Sequence, residues 1–509
     1  MIETILRLCQ IFAEHDHRLY MVGGCVRDLL LHRETSPDVD MTTDARPDEI
    51  KRLAQLTHPR DIFVVGEKFG TVRLHYARPA ASLPAARSPE AATAADATFS
   101  PSPATLTSDP PPDVDVIEIT TFRSDRYDPA SRKPEVTFGD RLEDDLLRRD
   151  FTINAIARDP VSGALFDPYG GREDLQAGLI RAVGNDPERR FDEDPLRLLR
   201  AVRFAAQLGF AIEDGTAAAL ERQAATLGKI SRERIRDEFT KVLASPDPMR
   251  GLRLLVDGGL MPYIVPEVME LRGVSQRPVH SKDVYEHVLR VVANTPPRPA
   301  TRWAGLLHDI AKPRTRSVED GKVHFFGHEE VGAGMTRDIL RGLKFDRPFI
   351  EHVSRLVRMH MRANAYAPDW TDGAVRRLML EAGNALPDLL DLSRADITSY
   401  RPERVSRAVA RVAELEARTK WLYEEAQRVP LKSPLDGLEL MAIFGRGPGP
   451  WLRPVKDFLL GLVIDGQLAN DDKAGAEAAA RRFLAEQGAP PDAESPARAP
   501  YRPAPPAGS

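Results

Sequence analysis

The hydrophobic pattern of the chain changes from strand-like alternation to helical spacing near residue 190. In the first part, "GTVRLHY" (70–76) and "VDVIEITTF" (114–122) alternate apolar or β-branched residues with polar ones, which predicts two strands. After about residue 190, apolar residues recur at i, i+3 and i+4, as in "DPLRLLRAVRFAAQLGF" (194–210), which predicts helices. The pattern therefore predicts an α/β part followed by an all-α part.

Two segments carry almost no large apolar residues. Residues 79–112 and the end of the chain, 486–509, are rich in Pro and Ala, with Ser and Thr in the first, and such segments cannot bury enough apolar surface to order themselves. We expect a disordered insertion and a disordered tail. The strands on either side of the insertion are predicted to be neighbours joined by an expanded connection.

Length and charge limit the possible classes of protein. The 509 residues exceed one core, so two to four domains are expected. The only cysteines, Cys9 and Cys25, form no thiolate zinc motif or disulfide framework. The N-terminus is unlike a signal peptide and no apolar run is long enough to span a membrane, so we expect a cytoplasmic protein without a membrane partner. With a net charge of -5, any nucleic-acid contact must use local basic patches.

A pair of glycines opens the first region of candidate chemistry. "LYMVGGCVRDLLL" (19–31) predicts a strand, a turn and the start of a helix. Gly23 and Gly24 would let backbone N–H groups approach a phosphate at the helix N-terminus, and Arg27 could pair with a phosphate oxygen. Taken alone, two glycines also fit an ordinary tight turn between a strand and a helix.

Two aspartates follow directly. In "DVDM", strand alternation places Asp38 and Asp40 on one face, where two carboxylates can share hard cations such as Mg²⁺. A third carboxylate is expected nearby. Glu118 is the best candidate because it lies in the middle of the strand beyond the insertion, and Asp115 is the weaker alternative.

Together these residues resemble the nucleotidyltransferase head of class II tRNA CCA-adding enzymes and bacterial poly(A) polymerases. Two later stretches extend the resemblance: "LEDDLLRRDFTINAIA" (142–157) is similar to the second motif of the family, and "DEDPLRLLRAVRFAAQLGF" (192–210) is similar to its base-selecting motif. The resemblance implies an α+β multidomain fold, with a mixed-sheet head followed by all-α neck, HD and body or tail domains.

The resemblance also implies roles for the arginines. Arg149 would contact a nucleotide phosphate. On a helix, Asp194 and Arg197 would be neighbours at i, i+3 and would accept from the amine and donate to the ring of cytosine or adenine. Uracil and guanine would leave desolvated groups unpaired, so CTP and ATP would be selected. Arg200 and Arg203 would hold phosphates or support the base-selecting pair.

The head alone does not separate CCA addition from poly(A) synthesis. The stretch "VGEKFGTV" (65–72) looks like the CCA-adding pattern, and residues 435–471 resemble the tail region of those enzymes. Arginines spaced along helices, as in "RPERVSRAVARVAELEARTK" (401–420), suit phosphate contacts, although a solvated helix face would look the same. We therefore expect tRNA, CTP and ATP as partners and no DNA.

A second group of ionisable residues lies in the helical part. "WAGLLHDIAK" (303–312) contains an adjacent His-Asp pair and looks like an HD domain. The other ionisable residues at helix-like intervals are His287, His328, His360 and Asp396. The resemblance maps His287, His308, Asp309 and Asp396 onto ligands of a divalent transition metal that activates water on a phosphoester. The alternative is an HD fold whose metal site is inactive.

The predicted organisation has five parts. They are a head (1–180), a helical neck that selects nucleotides and binds RNA (181–272), an HD domain (273–400), a body and tail that bind tRNA (401–485) and a disordered end (486–509). The predicted activity is template-independent addition of CCA to tRNA by two-metal chemistry with Mg²⁺. A poly(A) polymerase, a CC-only or A-only enzyme, and an HD phosphohydrolase with a relic head are the alternatives.

Overall fold

The computed structural model describes residues 1–33, 38–65, 70–78, 114–126, 135–275, 283–398, 401–428 and 430–487. The predicted insertion, most of the predicted tail and residues 66–69 of the "VGEKFGTV" stretch lie outside these ranges. The chain divides into two compact units, Met1–Arg358 and Met359–Ser509. Their boundary falls inside the predicted HD domain, and the five-part domain scheme stays a prediction.

The strands are short and belong mostly to the first 170 residues. They are β1 (Leu19–Val22), β2 (Asp38–Thr43), β3 (Asp61–Val65), β4 (Thr71–Ala77), β5 (Val114–Thr121), β6 (Arg123–Arg126), β7 (Glu135–Phe138), β8 (Ala157–Arg158), β9 (Leu165–Phe166), β10 (Leu179–Ile180), β11 (Ala211–Ile212), β12 (Ser317–Glu319) and β13 (Lys322–His324).

The rest of the regular structure is helical. The helices are α1 (Ile2–Glu14), α2 (Gly24–Leu30), α3 (Pro47–Gln55), α4 (Leu142–Leu147), α5 (Gly171–Ala177), α6 (Pro187–Glu193), α7 (Leu196–Leu208), α8 (Asp214–Gln223), α9 (Arg232–Leu243), α10 (Pro248–Asp257), α11 (Glu267–Glu270), α12 (Val284–Asn294), α13 (Pro299–Leu307), α14 (His328–Gly342), α15 (Arg347–Asn364), α16 (Asp372–Ala382), α17 (Leu386–Ala395), α18 (Pro402–Arg428), α19 (Gly437–Phe444), α20 (Leu452–Ile464) and α21 (Lys473–Glu486).

Seven strands form one mixed sheet in the order β3-β4-β5-β2-β1-β8-β9. The pairing of β2 with β5 is parallel, and the other neighbours in this sheet run antiparallel. In β4, Val72, Leu74 and Tyr76 are buried and alternate with less buried residues, as expected for a strand with one face on a core. The mixed-sheet head followed by helices confirms the predicted fold class.

The two strands that flank the insertion are neighbours, as predicted. Strands β4 and β5 pair antiparallel from Thr71 opposite Thr120 to Ala77 opposite Val114. The chain therefore leaves the sheet at Ala77 and returns to it at the directly opposed position, so Glu118 is fixed by the register of three adjacent strands.

The helical part of the first unit packs around aromatic side chains. Trp303 of α13 is fully buried and meets Phe239 of α9 and Phe345 edge-on, with ring centroids 5.2 and 5.3 Å apart. Helix α7 packs against α9. Because edge-to-face contacts of aromatic rings are favourable, the Trp303 cluster helps to hold α13 against α9, and α9 in turn packs against the helix that carries Arg197.

The second unit has its own apolar core. Leu440, Val455, Leu459 and Val463 are buried where α19, α20 and α21 meet, and α16 and α17 pack against the long helix α18. In the part of the chain that the structure describes, no helix is both long and apolar enough to cross a membrane.

Candidate active site

Three carboxylates lie on one face of the head sheet. Asp38 and Asp40 are exposed on β2, whereas Val39 between them is buried. In the parallel pairing of β2 with β5, Asp40 is opposite Glu118. Since paired residues of adjacent strands point to the same side, Asp38, Asp40 and Glu118 share this face. Asp115 has the opposite parity in β5 and accepts from Arg78 Nε at 2.9 Å, so it does not share this face, and Glu118 stays the predicted third carboxylate.

Glu118 has a partner that the sequence interpretation missed. Arg73 is opposite Glu118 in the pairing of β4 with β5, and its Nε donates to Glu118 Oε1 at 2.7 Å. One row across β4, β5 and β2 therefore contains Arg73, Glu118 and Asp40, in that order. The alternation of β4 is visible in the sequence, but the register that opposes these residues is not.

The Gly-Gly turn lies against the carboxylates. Gly23 has φ +76°, and a Cβ there would lie 3.1 Å from Arg149 Nη1 and 3.6 Å from Asp40 Oδ2. Any side chain would strain the backbone and fill the space between the two groups. The turn thus brings the start of α2, Asp40 and Arg149 together, although the chain separates Gly23 and Arg149 widely.

The electrostatics of Asp40 reflect this crowding. Solvent reaches the side chain, yet the protein around it raises the pKa of Asp40 by desolvation, and the nearby charges of Glu118 and Asp38 raise it further. Arg149 and, more weakly, Arg200 act in the opposite direction. A concentration of carboxylates that the nearby arginines offset only partly is suited to bind cations.

Arg27 is buried in a network of protein contacts. Its Nε and Nη2 donate to the carboxylate of Asp28 at 2.8 and 2.9 Å, and its Nη1 donates to Asn154 Oδ1 at 2.9 Å. An ideal Cβ on Gly24 would lie 3.6 Å from Arg27 Nη2. The guanidinium of Arg27 therefore packs against the Gly23–Gly24 turn and helps to hold it in place. Its predicted contact with a phosphate stays a prediction.

Asp145 holds the two arginines of the "RRD" stretch. Arg148 Nε donates to Asp145 Oδ1 at 2.9 Å and Arg149 Nη2 to Oδ2 at 3.2 Å. Burial alone would raise the pKa of Asp145, but Arg148 and Arg149 outweigh this effect and lower it. The buried carboxylate therefore fixes Arg149 beside Asp40.

Asp150 forms a second buried ion pair. It accepts from Arg200 Nε at 2.7 Å and from Asn154 Nδ2 at 3.0 Å. Burial opposes ionisation, but Arg200 and Asn154 hold the pKa of Asp150 well below its usual value. Asn154 also accepts from Arg27, so one continuous network joins the turn to helix α7. Asn154 went unnoticed in the sequence because an asparagine in a short buried turn has no distinctive pattern.

Three arginines surround one aromatic ring. The guanidinium carbons of Arg27, Arg200 and Arg203 lie 5.1, 5.3 and 4.4 Å from the centroid of the Phe204 ring. Arg203 also lies beside Glu238 of α9, with Nε to Oε2 at 3.2 Å. Burial and the charge of Arg200 lower the pKa of Arg203 to about 10. Arg200 and Arg203 are thus held by Phe204 and by carboxylate partners, and their two predicted roles, holding phosphates or supporting the base-selecting pair, stay predictions.

The base-selecting motif differs from the prediction in one respect. Asp194 does not lie on the same helix as Arg197, because α6 ends at Glu193 and α7 begins at Leu196. Asp194 is extended, with φ -147° and ψ 99°, since a residue before proline disfavours the helical conformation. The Asp-Pro dipeptide at 194–195 was the sequence signal for this break.

The two side chains of the motif are held by different partners. Asp194 Oδ1 accepts from the backbone N–H of Leu196 at 3.1 Å and Oδ2 from Arg234 Nη2 at 2.8 Å. The largely buried Arg197 donates to three acceptors: Arg190 O at 2.8 Å, Glu193 Oε2 at 2.9 Å and Arg148 O at 2.7 Å. Both functional groups are thus fixed in orientation before any ligand binds.

Four residues of the predicted HD site converge in the first unit. His287 Nε2 lies 3.2 Å from His308 Nε2 and 3.3 Å from Asp309 Oδ2. His308 Nε2 and His328 Nε2 lie 3.2 and 3.5 Å from the carboxylate of Asp309. Burial opposes ionisation of Asp309, but His308 and Lys312 hold its pKa well below the usual value. Three buried imidazoles around one carboxylate are a suitable ligand set for a transition metal.

The other two candidates lie in the second unit. His360 is buried on α15, and Asp396, directly after α17, accepts from Asn364 Nδ2 at 2.6 Å. The predicted participation of Asp396 in the metal site stays a prediction. Lys312, which donates to Asp309 Oδ2 at 2.7 Å, was missed because a lysine after a helix is common.

Three family models match the chain. They are "Poly A polymerase head domain" at residues 19–109 and 99–181, "Probable RNA and SrmB- binding site of polymerase A" at 209–271 and "HD domain" at 279–401. The first of these contains the Gly-Gly turn, the carboxylates and the "RRD" stretch. The third contains the histidine cluster.

Curated relatives and a solved structure agree with these models. A CCA-adding enzyme of Geobacillus sp. (strain WCH70) is 30% identical over 473 residues, which cover 92% of this chain and 94% of the relative. An A-adding tRNA nucleotidyltransferase of Deinococcus radiodurans is 38% identical over 322 residues, or 61% of this chain and 72% of the relative. The Bacillus stearothermophilus CCA-adding enzyme, solved in complex with CTP, superposes with a TM-score of 0.62 at 27% identity and covers 96% of this chain and 98% of that one.

The match to the Geobacillus relative extends over nearly the whole of both chains, and the head and HD regions match by model as well. Divalent metals are general in nucleotidyltransferases of this kind, and the carboxylate row and the histidine cluster are candidate sites for them. The resemblance inferred from the sequence is confirmed: this chain is a nucleotidyltransferase that belongs to the family of CCA-adding enzymes.

Proposed function

We propose that this protein adds C, C and A to the 3′ ends of tRNA from CTP and ATP without a nucleic-acid template, and that it does so in the cytoplasm. The observation that carries the proposal is the row of Asp38, Asp40 and Glu118 on one face of the head sheet, beside Arg149 and the Gly23 turn. The solved relative with CTP supports the nucleotide, and membership of the family supports tRNA as the acceptor.

The oxygen ligands of the head fit Mg²⁺. Asp38 and Asp40 are exposed carboxylates and would hold the cations, with Glu118 at their side. Divalent cations at this position would lower the pKa of the attacking tRNA hydroxyl and neutralise the departing pyrophosphate. A 3′-oxygen to phosphorus bond forms at the α-phosphate as the bond to pyrophosphate breaks.

The chain's own side chains orient the triphosphate. Arg149 lies at the Gly23 turn with its guanidinium fixed by Asp145, so it can donate to phosphate oxygens without losing much side-chain freedom on binding. Arg27, Arg200 and Arg203 contribute through the buried network that keeps this turn in place.

Base selection rests on the groups that Asp194 and Arg197 present. The carboxylate accepts from the exocyclic amine of cytosine or adenine, and the guanidinium donates to the ring acceptor beside it. Uracil and guanine would present a carbonyl oxygen to the carboxylate and an N–H to the guanidinium, so these groups would be left without hydrogen-bond partners.

Replacing Asp194 or Arg197 by Ala is expected to lower discrimination against UTP and GTP by about tenfold to a hundredfold, the effect of one or two hydrogen bonds. Triphosphate affinity should change less, because other residues hold the phosphates. Incorporation of all four nucleotides into a tRNA transcript measures both quantities. Unchanged discrimination in both variants would mean that the pair does not read the base.

Poly(A) synthesis is the runner-up. A partial enzyme that adds only CC or only A is the third possibility, and two relatives are named as an A-adding and a CC-adding tRNA nucleotidyltransferase. Radiolabelled addition to transcripts that end before C, CC and CCA separates these activities, and an unstructured oligoadenylate acceptor detects poly(A) synthesis. Addition of all three nucleotides to the first transcript is the expected result.

A second activity is supported by the cluster of His287, His308, Asp309 and His328. These residues, with Asp396, would hold a transition metal such as Mn²⁺, Co²⁺ or Ni²⁺, because imidazole ligands favour such metals over Mg²⁺. We infer a metal-dependent phosphohydrolase for this region. A cluster that keeps the fold without activity is the alternative.

The double substitution His308→Ala and Asp309→Ala should abolish transition-metal-dependent phosphoester hydrolysis and spare nucleotide addition. The head uses carboxylates on a sheet, whereas this cluster comes from α12, from the turn directly after α13, where His308 and Asp309 lie, and from the start of α14, so the two ligand sets are separate. Hydrolysis of 2′,3′-cyclic nucleotides across metals and CTP addition are measured on the same preparations, with His324→Ala as a histidine control outside the cluster. A folded double variant that cannot add nucleotides would contradict this independence.

A further inference from the structure

We propose that Arg234 on α9 is a positioning residue for nucleotide selection, acting through the carboxylate of Asp194. The inference rests on the proposed function, because it concerns how the base-selecting pair is held. Arg234 lies 40 residues after Asp194 and is part of no motif used to identify the site.

The ion pair fixes one orientation of the Asp194 carboxylate. Oδ1 accepts from the backbone N–H of Leu196 at 3.1 Å, and Oδ2 accepts from Arg234 Nη2 at 2.8 Å. Each oxygen retains a lone pair for an incoming amine, since a carboxylate oxygen can accept more than one hydrogen bond. Without Arg234, the bond to the Leu196 N–H would be the one remaining hydrogen bond of the Asp194 side chain among the described residues, so the carboxylate could rotate more freely.

The backbone that carries Arg234 is itself fixed. Ser231 caps α9, and its side chain accepts from the N–H of Arg234. One turn further along, Glu238 pairs with Arg203 of α7. Helices α7 and α9 are therefore tied by a buried pair, and the second pair, Asp194 with Arg234, lies at the more exposed end of the same contact.

The exposed pair contributes little to holding the helices together. The Asp194 and Arg234 side chains keep 27% and 51% of their exposure, and ion pairs open to solvent have small effects on stability. The contact of α7 with α9 already has the buried Arg203–Glu238 pair. The Asp194–Arg234 pair instead fixes the orientation of the Asp194 carboxylate as a hydrogen-bond acceptor. It also balances the negative charge of this carboxylate beside the position of the base.

This geometry predicts an effect on selectivity rather than on phosphate binding. With Arg234 removed, the Asp194 carboxylate can turn away from the amine of cytosine and no longer opposes the carbonyl of uracil. The CTP to UTP ratio of kcat/KM in Arg234→Ala should fall by about tenfold, the loss expected for one oriented hydrogen bond. Arg234→Lys retains the charge without the planar fork and should give an intermediate ratio.

The experiment is a double-mutant cycle on the full-length protein. Kinetics of CTP and UTP addition to a tRNA transcript lacking CCA are measured for wild type, Arg234→Ala, Asp194→Ala and the double variant. Arg222→Ala serves as the matched control, because it breaks a different exposed arginine pair, with Glu188 at 2.6 Å. Thermal unfolding of each variant reports on folding.

The expected result is a reduced ratio in Arg234→Ala, no further reduction in the Asp194→Ala background and an unchanged ratio in Arg222→Ala. A wild-type ratio in Arg234→Ala would overturn the inference, as would an equal reduction with and without Asp194, since Arg234 would then act independently of it. A wild-type protein that adds neither nucleotide would instead overturn the proposed function, so the two failures are distinguishable.

Discussion

Asp40→Asn is expected to reduce nucleotide addition by at least about a thousandfold while leaving the protein folded. The substitution keeps the size of the side chain but removes the negative charge at the centre of the row formed with Asp38 and Glu118. Because the side chain is exposed, no core contact is lost. Single-turnover addition of CTP to a tRNA transcript and thermal unfolding together measure the two effects.

A neighbouring aspartate provides the control. Asp48 lies on helix α3 rather than on the sheet, and its exposed side chain pairs with Lys51 at 3.0 Å, so Asp48→Asn should retain the wild-type rate. Asp38→Asn should behave like Asp40→Asn. Near-normal nucleotide addition by Asp38→Asn or Asp40→Asn would show that the reaction does not need these carboxylates and would contradict the proposed chemistry.

Asp150→Ala is expected to have the largest effect on stability, about 3–5 kcal/mol, because it leaves the guanidinium of Arg200 partly buried without its counter-ion. The substitution also removes the acceptor for Asn154 and for the backbone N–H of Phe151. Nucleotide addition should fall as well, since this network supports the turn at Gly23. Urea unfolding at pH 7 measures the loss.

The same carboxylate should contribute to acid sensitivity. Its pKa in the folded protein lies below the usual value, so its contribution is complete above the unfolded carboxyl pKa of about 4 and is lost as the pH falls towards the lower folded value. The stability difference between wild type and Asp150→Ala should therefore shrink below about pH 4. Glu188→Ala, which breaks an exposed pair with Arg222, should cost less than about 1 kcal/mol. Equal unfolding curves for Asp150→Ala and wild type would refute the role of this pair.

Local patterns were sufficient to predict the frame of the head. Alternation in β4 and β5 predicted two neighbouring strands, and the Asp38 and Asp40 spacing predicted a shared face. Glu118 was chosen over Asp115 from its position in the strand, and the parity of β5 agrees. These properties follow from the period of a strand and do not depend on distant residues.

Partners across elements could not be predicted in the same way. The pairing of Arg73 with Glu118 needs the register of β4 against β5, and that of Asp194 with Arg234 needs the packing of α9 near the start of α7. The buried network of Asp150, Asn154 and Arg27 joins three separate stretches. The one error of local structure, the placement of Asp194 on a helix, came from overlooking what the following proline does to backbone conformation.

The paired positions Ala77 and Val114 bear on protein engineering. Because these residues are opposed in the β4–β5 ladder, the ends of the intervening segment are held side by side whatever its length, and lengthening a loop between fixed ends costs little free energy. A folded reporter domain whose termini are close together could replace this segment without altering the strand register. The connection is therefore a natural attachment point for a fluorescent or affinity module within the head, next to the strand that carries Glu118.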